Sequence, residues 1–312
     1  MGRRSDMRKI LTLVTLSVTL LVAQSAYALS DTCQKAVGAE HYQDIVKDCL
    51  ADANSGNAEA QFRIGLLYLK GRGVPRNEKL ALEWLQKSAD SGFLRSIFVI
   101  GMMHQKGLAE LKQNNQEALK WLEKAANFGD IAAQMYLGSI YYYGERIEKN
   151  IPEAVKWYRL AAEQNFATAQ YLLGLFYAVG KGVLQDYKTA REWYQKAAEQ
   201  GNADAQGRLG AMYQLGMGVQ VDSNKAVEWW QKAAEQGHIK AQTSLGLIYE
   251  AGAGVSRSVE QGYMWLTIVA KNDFAPAIRE QKRVAAKLTP AQITEAERRA
   301  AQWLEEHGRK EE

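Results

Sequence analysis

The four histidines are the residues best suited to acid–base or metal chemistry. They are His41, His104, His238 and His307. A zinc site or a metalloprotease motif needs two histidines a few positions apart, as in H-E-x-x-H, so that both rings reach one ion. No two of these histidines stand at such a spacing. We therefore predict that the chain has no metal site.

Neither a nucleophile nor a phosphate-binding loop stands out from the sequence. Ser139 follows Gly138, but it lies in a helical pattern without a paired base, and no G-x-S-x-G elbow occurs. The glycine-rich stretches 180–182 and 216–218 follow helical patterns rather than strands, and they lack the third glycine of a dinucleotide-binding loop. We predict no catalytic residue and no cofactor, so the chain is not expected to be an enzyme.

The amino-terminal stretch has the three parts of a secretory signal peptide. Its basic residues are Arg3, Arg4, Arg8 and Lys9. An apolar run over 10–23 and an A-x-A site at 26–28 follow. We predict cleavage after Ala28, which gives a periplasmic or secreted protein with no membrane span after cleavage. The alternative is an uncleaved anchor, although the run is shorter than the roughly 20 residues that a membrane span needs.

The positive charge of the chain comes from this stretch. The formal net charge is +4, and residues 1–28 hold four basic residues and one acid. The remainder is close to neutral and shows no basic stripe with interleaved aromatic residues. We therefore predict that the protein does not bind nucleic acid.

The two cysteines, Cys33 and Cys49, follow the predicted cleavage site. An even number of cysteines in an exported chain favours a disulfide, and closing this loop contributes about 3 kcal/mol in the chain-entropy model. Two free thiols are the alternative. A redox centre is disfavoured because the pair forms no C-x-x-C motif.

A unit of 36 or 37 residues recurs six times. The copies occupy 58–93, 94–130, 131–166, 167–202, 203–238 and 239–274. Each copy holds two helical patterns joined by a glycine-rich turn, which predicts an all-α stack of antiparallel helix pairs. The one extra residue lies near 108–114, in the turn of the second copy, where an insertion is cheapest.

Small and aromatic residues recur at fixed places in this unit. The first helix carries a glycine in every copy: Gly65, Gly101, Gly138, Gly174, Gly210 and Gly246. The second helix carries Trp84, Trp121, Trp157, Trp193, Trp229 and Trp265. Glycine within a helix costs roughly 1 kcal/mol relative to alanine, so six of them indicate a close approach between helices. We expect the tryptophans, Trp193 among them, to fill the core.

The unit resembles the sel-1-like repeat (SLR), a relative of the tetratricopeptide repeat. Residues 167–201 match the pattern A-x-A-Q-x-x-L-G-x-x-Y-x-x-G-x-G-V followed by K-A-x-x-W-Y-x-K-A-A-x-Q-G, apart from Thr189, which stands where the pattern has Lys. The resemblance covers 58–274. It implies a right-handed α/α solenoid, or superhelix, whose first helices line the concave side. It also implies an adaptor rather than an enzyme.

One branch of this family limits the alternatives. A cysteine-rich group of SLR proteins is associated with β-lactam binding and hydrolysis, and its members carry a cysteine pair in each repeat. The six copies here contain no cysteine. That departure removes most of the support for a β-lactamase-like hydrolase.

Both ends of the repeat array are predicted to be capped, because a solenoid must cover its terminal apolar faces. Residues 29–57 form the amino-terminal cap with the cysteine pair. Residues 275–312 form capping helices, with a capping box at 289–292 and Pro290 at the first helical position. Many SLR proteins close with a similar L-T-P-x-Q motif and an amphipathic helix.

Variable positions on the first helices are the candidate binding residues. Positions three before, one after and four after each glycine share one face. The early copies place aromatic and apolar residues there, and Tyr136 and Tyr143 flank them. The predicted partner-binding residues are Phe98, Met135, Tyr136, Tyr142, Tyr143 and Tyr171. The alternative is that these side chains pack against the neighbouring first helix. We expect His104 to be semi-buried in its repeat and His238 to be exposed.

Together these patterns predict an exported, monomeric adaptor that binds a protein or peptide on its concave face. The resemblance implies a role in envelope assembly, secretion or host interaction. Two alternatives are kept: an envelope structural protein that contacts peptidoglycan or another glycan, and a β-lactamase-like hydrolase.

Overall fold

The computed structural model describes residues 29–38, 42–144, 147–271 and 274–307. These ranges hold sixteen α-helices and no strand, so the all-α prediction is confirmed. The predicted signal peptide, residues 1–28, lies outside the described residues. Within the described ranges, every helix is too short or too polar to cross a bilayer.

The chain divides into two compact units, the first of which ends at Gln164. Its helices are α1 (Asp31–Gly38), α2 (Tyr42–Asn54), α3 (Ala58–Lys70), α4 (Glu78–Asp90), α5 (Leu94–Lys106), α6 (Asn115–Asn127), α7 (Ile131–Tyr143) and α8 (Ile151–Glu163). Here α3, α5 and α7 are the first helices of repeats one to three. Each packs on its own second helix, and α4 and α6 also pack on the next first helix.

The second unit begins at Asn165. Its helices are α9 (Ala167–Val179), α10 (Tyr187–Glu199), α11 (Ala203–Leu215), α12 (Ser223–Glu235), α13 (Ile239–Ala251), α14 (Val259–Ala270), α15 (Ala275–Ala285) and α16 (Pro290–His307). Repeats four to six supply α9 to α14, and α15 and α16 pack on α14.

Capping residues set the ends of the helices. The second helix of every repeat starts after a residue whose side chain accepts a backbone N–H of the first turn: Asn77, Asn114, Asn150, Asp186, Asp222 and Ser258. Each first helix ends at a glycine with φ between 66° and 73°, a conformation that glycine adopts without a steric penalty. The turn is thereby fixed at both of its ends.

The extra residue of the second repeat changes only its turn. The loop between α5 and α6 covers 107–114, and Ala109 and Glu110 there have positive φ values of 58° and 65°. The backbone N–H of Ala109 donates to Glu78 at 2.9 Å, which fastens the longer loop to the preceding repeat.

The glycine in the middle of each first helix leaves room for a side chain of the second helix. That side chain belongs to the residue after the repeated tryptophan, and not to the tryptophan itself. A Cβ on Gly174 would lie 2.7 Å from the Tyr194 ring, and one on Gly210 would lie 2.4 Å from Trp230. Tyr194 is 1% exposed, whereas Trp193 is only half-buried, with Lys196 4.3 Å above its ring. The expectation that Trp193 fills the core is therefore wrong, because Tyr194 is the residue that faces α9.

Buried glutamines tie successive repeats together. Gln61, Gln134, Gln206 and Gln242 each donate a side-chain N–H to an alanine carbonyl eight positions earlier, at 2.9 to 3.1 Å. The side chains of Gln164, Gln200 and Gln236 donate in turn to Gln134, Gln170 and Gln206. These bonds give partners to buried amide N–H groups. The side-chain oxygens of Gln61 and Gln242 remain buried without a partner among the described residues.

A disulfide joins the two helices of the amino-terminal cap. Cys33 on α1 is bonded to Cys49 on α2, as predicted, and both residues are fully buried. Their cluster extends to Trp84 on α4, so the cap covers the apolar face of the first repeat.

The carboxyl-terminal cap packs through aromatic and ionic contacts. Trp303 on α16 lies 5.5 Å from Trp265 on α14, in an edge-to-face arrangement. Glu250 on α13 accepts bonds from Arg283 and Lys287 at the end of α15. The predicted capping box is present, since Thr289 and Gln292 bond reciprocally at the start of α16.

Candidate functional site

Two predicted binding residues meet between neighbouring first helices of the first unit. Phe98 on α5 and Tyr136 on α7 have ring centroids 5.9 Å apart in an edge-to-face arrangement, and both are half-buried. The Tyr136 hydroxyl donates to the side-chain oxygen of Gln105. Phe98 and Tyr136 therefore pack against the neighbouring first helix, as the alternative interpretation of these residues expects. Both residues are only half-buried and so remain partly accessible.

Two further candidates lie at the carboxyl end of α7. The rings of Tyr142 and Tyr143 are 5.1 Å apart, and the Lys149 ammonium lies 6.0 Å from the Tyr142 ring. Tyr143 is 37% exposed and stands two helical turns after Tyr136, on the same side of α7. We refer to Phe98, Tyr136, Tyr142 and Tyr143 as the unit 1 aromatic face.

Met135 does not belong to this face. Its side chain is only 2% exposed, so the prediction that it contacts a partner is wrong. The reason is that α7 is apolar around most of its circumference: Ala132, Ala133, Leu137 and Ile140 are buried with it. A helix of this kind has little free surface.

Tyr171 lies in the second unit, on α9. It is half-buried, and its ring centroid is 5.9 Å from that of Tyr194. Leu175 and Ala178, which share its face of the helix, are also partly buried. The structure thus places Tyr171 on a partly buried face of a first helix in the second unit.

In two places, the position three before the glycine contacts the residue that precedes the next first helix. Phe62 lies 5.1 Å from Phe93, and a Cβ on Gly207 would come within 2.6 Å of the His238 ring. His238 caps α13 by accepting the Ala241 N–H, and its other ring nitrogen lies 3.3 Å from Asp204. The expectation that His238 is exposed is wrong: its side chain is 17% exposed, because Gly207 leaves room for the ring.

The remaining candidates for chemistry stay apart. His104 is half-buried and stacks on Trp121 with a centroid distance of 6.2 Å, as its place in the repeat predicts. Among the described residues, the histidines, cysteines and carboxylates form no group that could hold a metal ion. Burial raises the pKa of Tyr158, and the neighbouring Tyr143 and Tyr142 add to the rise, so its hydroxyl stays protonated. This arrangement can offer apolar contact and neutral hydrogen bonds.

Sequence comparison identifies the repeats. The sequence model of the family described as "Sel1 repeat" matches residues 58–93, 95–130, 131–166, 167–202, 203–238 and 239–274. Together these segments make up more than half of the chain.

Two solved structures are similar to this chain. One is a protective antigen of uropathogenic Escherichia coli with an SLR fold; it has 32% sequence identity and a TM-score of 0.70, and the match covers 82% of this chain and 56% of that one. The other is a Sel1 repeat protein from Oxalobacter formigenes, with 34% identity and a TM-score of 0.62, covering 77% of this chain and 98% of that one. Both support a solenoid of Sel1-type helix pairs.

A curated plant protein shares a shorter segment. The ERAD-associated E3 ubiquitin-protein ligase component HRD3A of Arabidopsis thaliana is 41% identical over 56 residues. That segment is 18% of this chain and 8% of HRD3A, so the chain covers only a small part of that protein's length.

Proposed function

The chain belongs to the Sel1-repeat family, and from that premise we propose that it is an exported adaptor that binds a protein or peptide on its first helices. Sel1-repeat proteins are generally non-catalytic scaffolds of a kind typically found in protein–protein interactions. We accordingly propose no enzymatic activity, and we propose that the protein acts as a monomer in envelope assembly, secretion or host interaction.

The unit 1 aromatic face is the observation that carries this proposal. Interface anchors are most often aromatic residues, which bury a large area at a small cost in conformational entropy. Tyr142 and Tyr143 present two such rings side by side, with the Lys149 ammonium close to one of them. A partner that covers these two rings would gain apolar contact with them. It could also make polar contacts with the tyrosine hydroxyls and the Lys149 ammonium at the edge of the rings.

Export is supported by two observations. The disulfide of the amino-terminal cap is typical of an oxidising compartment, and no helix of the described ranges could span a membrane. Both fit a periplasmic or secreted protein, which is the location that the predicted signal peptide implies.

Crosslinking in cells tests the proposed surface. A photoreactive residue at Tyr142 should capture a defined partner protein, whereas the same residue at Lys120, whose side chain is 74% exposed on the second helix α6, should not. Capture of the same proteins from both positions would contradict the proposal, because it would show contact without a preferred face.

The captured partner then allows a quantitative test. Removing an aromatic anchor costs about 2 kcal/mol or more at an interface, so Tyr142→Ala should weaken binding at least tenfold. The helical signal and the unfolding midpoint should stay close to those of the wild type, because Tyr142 is only partly buried. Unchanged affinity would show that Tyr142 is not part of the binding surface. A loss of stability as large as that of Tyr194→Ala would show that Tyr142 belongs to the core instead.

A further inference from the structure

Arg208 on α11 carries a charged side chain that makes no direct ion pair among the described residues. It is exposed, and it forms no hydrogen bond or ion pair with any residue that the structure describes. Arg63 stands at the same position of the first repeat, two residues before the glycine, and there the guanidinium is paired with Glu59. The repeat therefore has a way to neutralise this arginine, and the fifth copy does not use it.

The equivalent contact in the first unit indicates where Arg208 lies. Tyr136, two residues before its glycine, contacts Phe98 of the preceding repeat and donates to Gln105. The residues equivalent to Phe98 and Gln105 in the fourth repeat are Tyr171 and Ala178. By this equivalence we expect Arg208 to lie beside the Tyr171 ring, with the methyl group of Ala178 at the place where Tyr136 finds its acceptor.

Tyr194 brings a second unsatisfied donor to the same place. Its side chain passes Gly174 towards Tyr171, and its hydroxyl has no hydrogen-bond partner among the described residues. In the next repeat Trp230 occupies this position and donates to the Gly207 carbonyl at 3.2 Å. Leaving a buried hydroxyl without a partner is unfavourable, and an acceptor that the hydroxyl shifts to meet would remove that penalty.

The pKa of Tyr194 also indicates that its hydroxyl lies near the Arg208 guanidinium. Burial raises the pKa of Tyr194, and the positive charge of Arg208 acts against that rise. The acid nearest to Arg208 along α11 is Asp204, one turn earlier. The pKa of Asp204 is lowered, first by the hydrogen bond with His238 and further by nearby positive charges that include Arg208. This carboxylate is therefore ionised; it pairs directly with the imidazole and acts on Arg208 only at longer range.

We propose that Arg208 and Tyr194, beside Tyr171, form a binding site for an acidic side chain of a protein segment that lies across α9 and α11. This inference rests on the proposed adaptor function and names the chemistry of the partner. A carboxylate would accept two N–H bonds from the guanidinium and one O–H bond from the tyrosine, and charge-assisted bonds of this kind are the stronger class. Leu175 and the 38% exposed Leu247 offer apolar contact to neighbouring residues of the segment.

The probe for this site is a display library of random twelve-residue segments. Each segment is fused to the display protein at both ends, so that only side chains can supply a carboxylate. Segments selected on the wild-type protein should be enriched in Asp and Glu, whereas selection on Arg208→Gln should remove that enrichment. Arg63→Gln is the matched control, because Arg63 has the same position but an internal partner. It should leave the selected composition unchanged.

A synthetic segment from the selection gives the magnitudes. Replacing its acidic residue with the corresponding amide should weaken binding to the wild type about tenfold or more, and this difference should vanish in Arg208→Gln. Tyr194→Phe should also weaken binding while stability is kept or increased, since the change removes only an unpartnered hydroxyl. If Tyr194 had only a structural role, Tyr194→Phe would not weaken segment binding while leaving the stability of the protein unchanged or increased.

The outcomes distinguish this inference from the adaptor function. Selected segments without acidic enrichment, or an acid preference that persists in Arg208→Gln, would overturn the carboxylate site and leave peptide binding intact. If no segment is enriched at all, both the carboxylate site and peptide binding by this face are contradicted.

Discussion

Gly210 touches the Trp230 indole through a hydrogen atom, where any other residue would place a carbon. A Cβ there would lie 2.4 Å from the ring, which is held in place by its bond to the Gly207 carbonyl. Alanine is favoured over glycine by about 1 kcal/mol in a helix, but overpacking a core typically costs about 1–3 kcal/mol. We expect Gly210→Ala to lower the free energy of unfolding by up to about 2 kcal/mol in urea titrations, the overpacking cost less the gain in helix propensity.

Gly101 provides the comparison for this prediction. The nearest atom to its added Cβ is Leu122 Cγ at 3.0 Å, on a side chain that can move slightly. Gly101→Ala should therefore be tolerated better than Gly210→Ala. The reverse order, or two variants as stable as the wild type, would contradict the packing account.

The periodicity of the sequence predicted these close contacts but not the residues that make them. Trp193 and Tyr194 are adjacent and both aromatic, and they point about 100° apart around the helix. Composition cannot tell which one faces the glycine, because that depends on the rotation of the second helix about its axis. Arg208 was missed for a related reason: its lack of a partner depends on Ala178, a residue of another repeat.

The packing of helix α15 and the turn after it is stabilised by ion pairs with a carboxylate of α13. Glu250 is bonded to Lys287 and Arg283, and these bonds hold its pKa below the ordinary value of 4.5. A carboxylate with a lowered pKa contributes stability above its unfolded-state pKa, and that stability is lost as the pH falls through the folded-state pKa. We expect Glu250→Gln to be less stable than the wild type by about 1 kcal/mol at pH 7, a value limited by the exposure of the two cations.

Denaturant titrations at several pH values test this prediction. The difference between the wild type and Glu250→Gln should persist down to about pH 5 and shrink below it. Glu280→Gln is the control, since Glu280 bonds only to the exposed Arg283 and should have a smaller effect. A difference that does not change between pH 7 and pH 3 would show that the loss is due to packing and not to charge.

At the level of elements, the sequence predicted the helix pairs and the capping box but not the tie between α13 and α15. Repeated helix-pair patterns and the Thr289–Gln292 spacing are local signals. Glu250 and Lys287 stand 37 positions apart, at the junction of the repeats with the carboxyl-terminal cap. No neighbouring copy shows that pairing, so the repeat pattern could not reveal it.

The molecule as a whole should tolerate the loss of a complete repeat. In the second unit, Gln206 bonds to the Ala198 carbonyl and Gln242 bonds to the Ala234 carbonyl in the same manner. Deleting residues 203–238 brings Gln242 to the place of Gln206, so the tie to Ala198 can form again. We expect this variant to keep its helical signal per residue and its cooperative unfolding.

The register of the cut decides the outcome of this experiment. A deletion of 206–238 leaves part of α11 joined to α13 and moves Gln242 away from the Ala198 carbonyl. Circular dichroism should then show lost helix and a broader transition. Equal stability of the two deletions would show that the ties between repeats contribute little.

At this scale the family and fold were predictable, whereas the exposure of the candidate binding residues was predictable only in part. Six copies of one pattern determine the architecture because every copy repeats the same local signals. Exposure is set by neighbours, and so Met135 was assigned to the surface although α7 is buried on most sides. The aromatic residues of the unit 1 aromatic face could be selected from the sequence because they lie at or beside the variable positions of two first helices.

The short reach of the bonds between elements has a consequence for how the chain folds. The side-chain hydrogen bonds between elements described above join positions that are 37 or fewer residues apart. Little loop-closure entropy is therefore lost before contacts form, and low contact order is associated with fast folding. A repeat can acquire its structure as soon as its neighbour is available, in the order in which the chain emerges, without waiting for the far end.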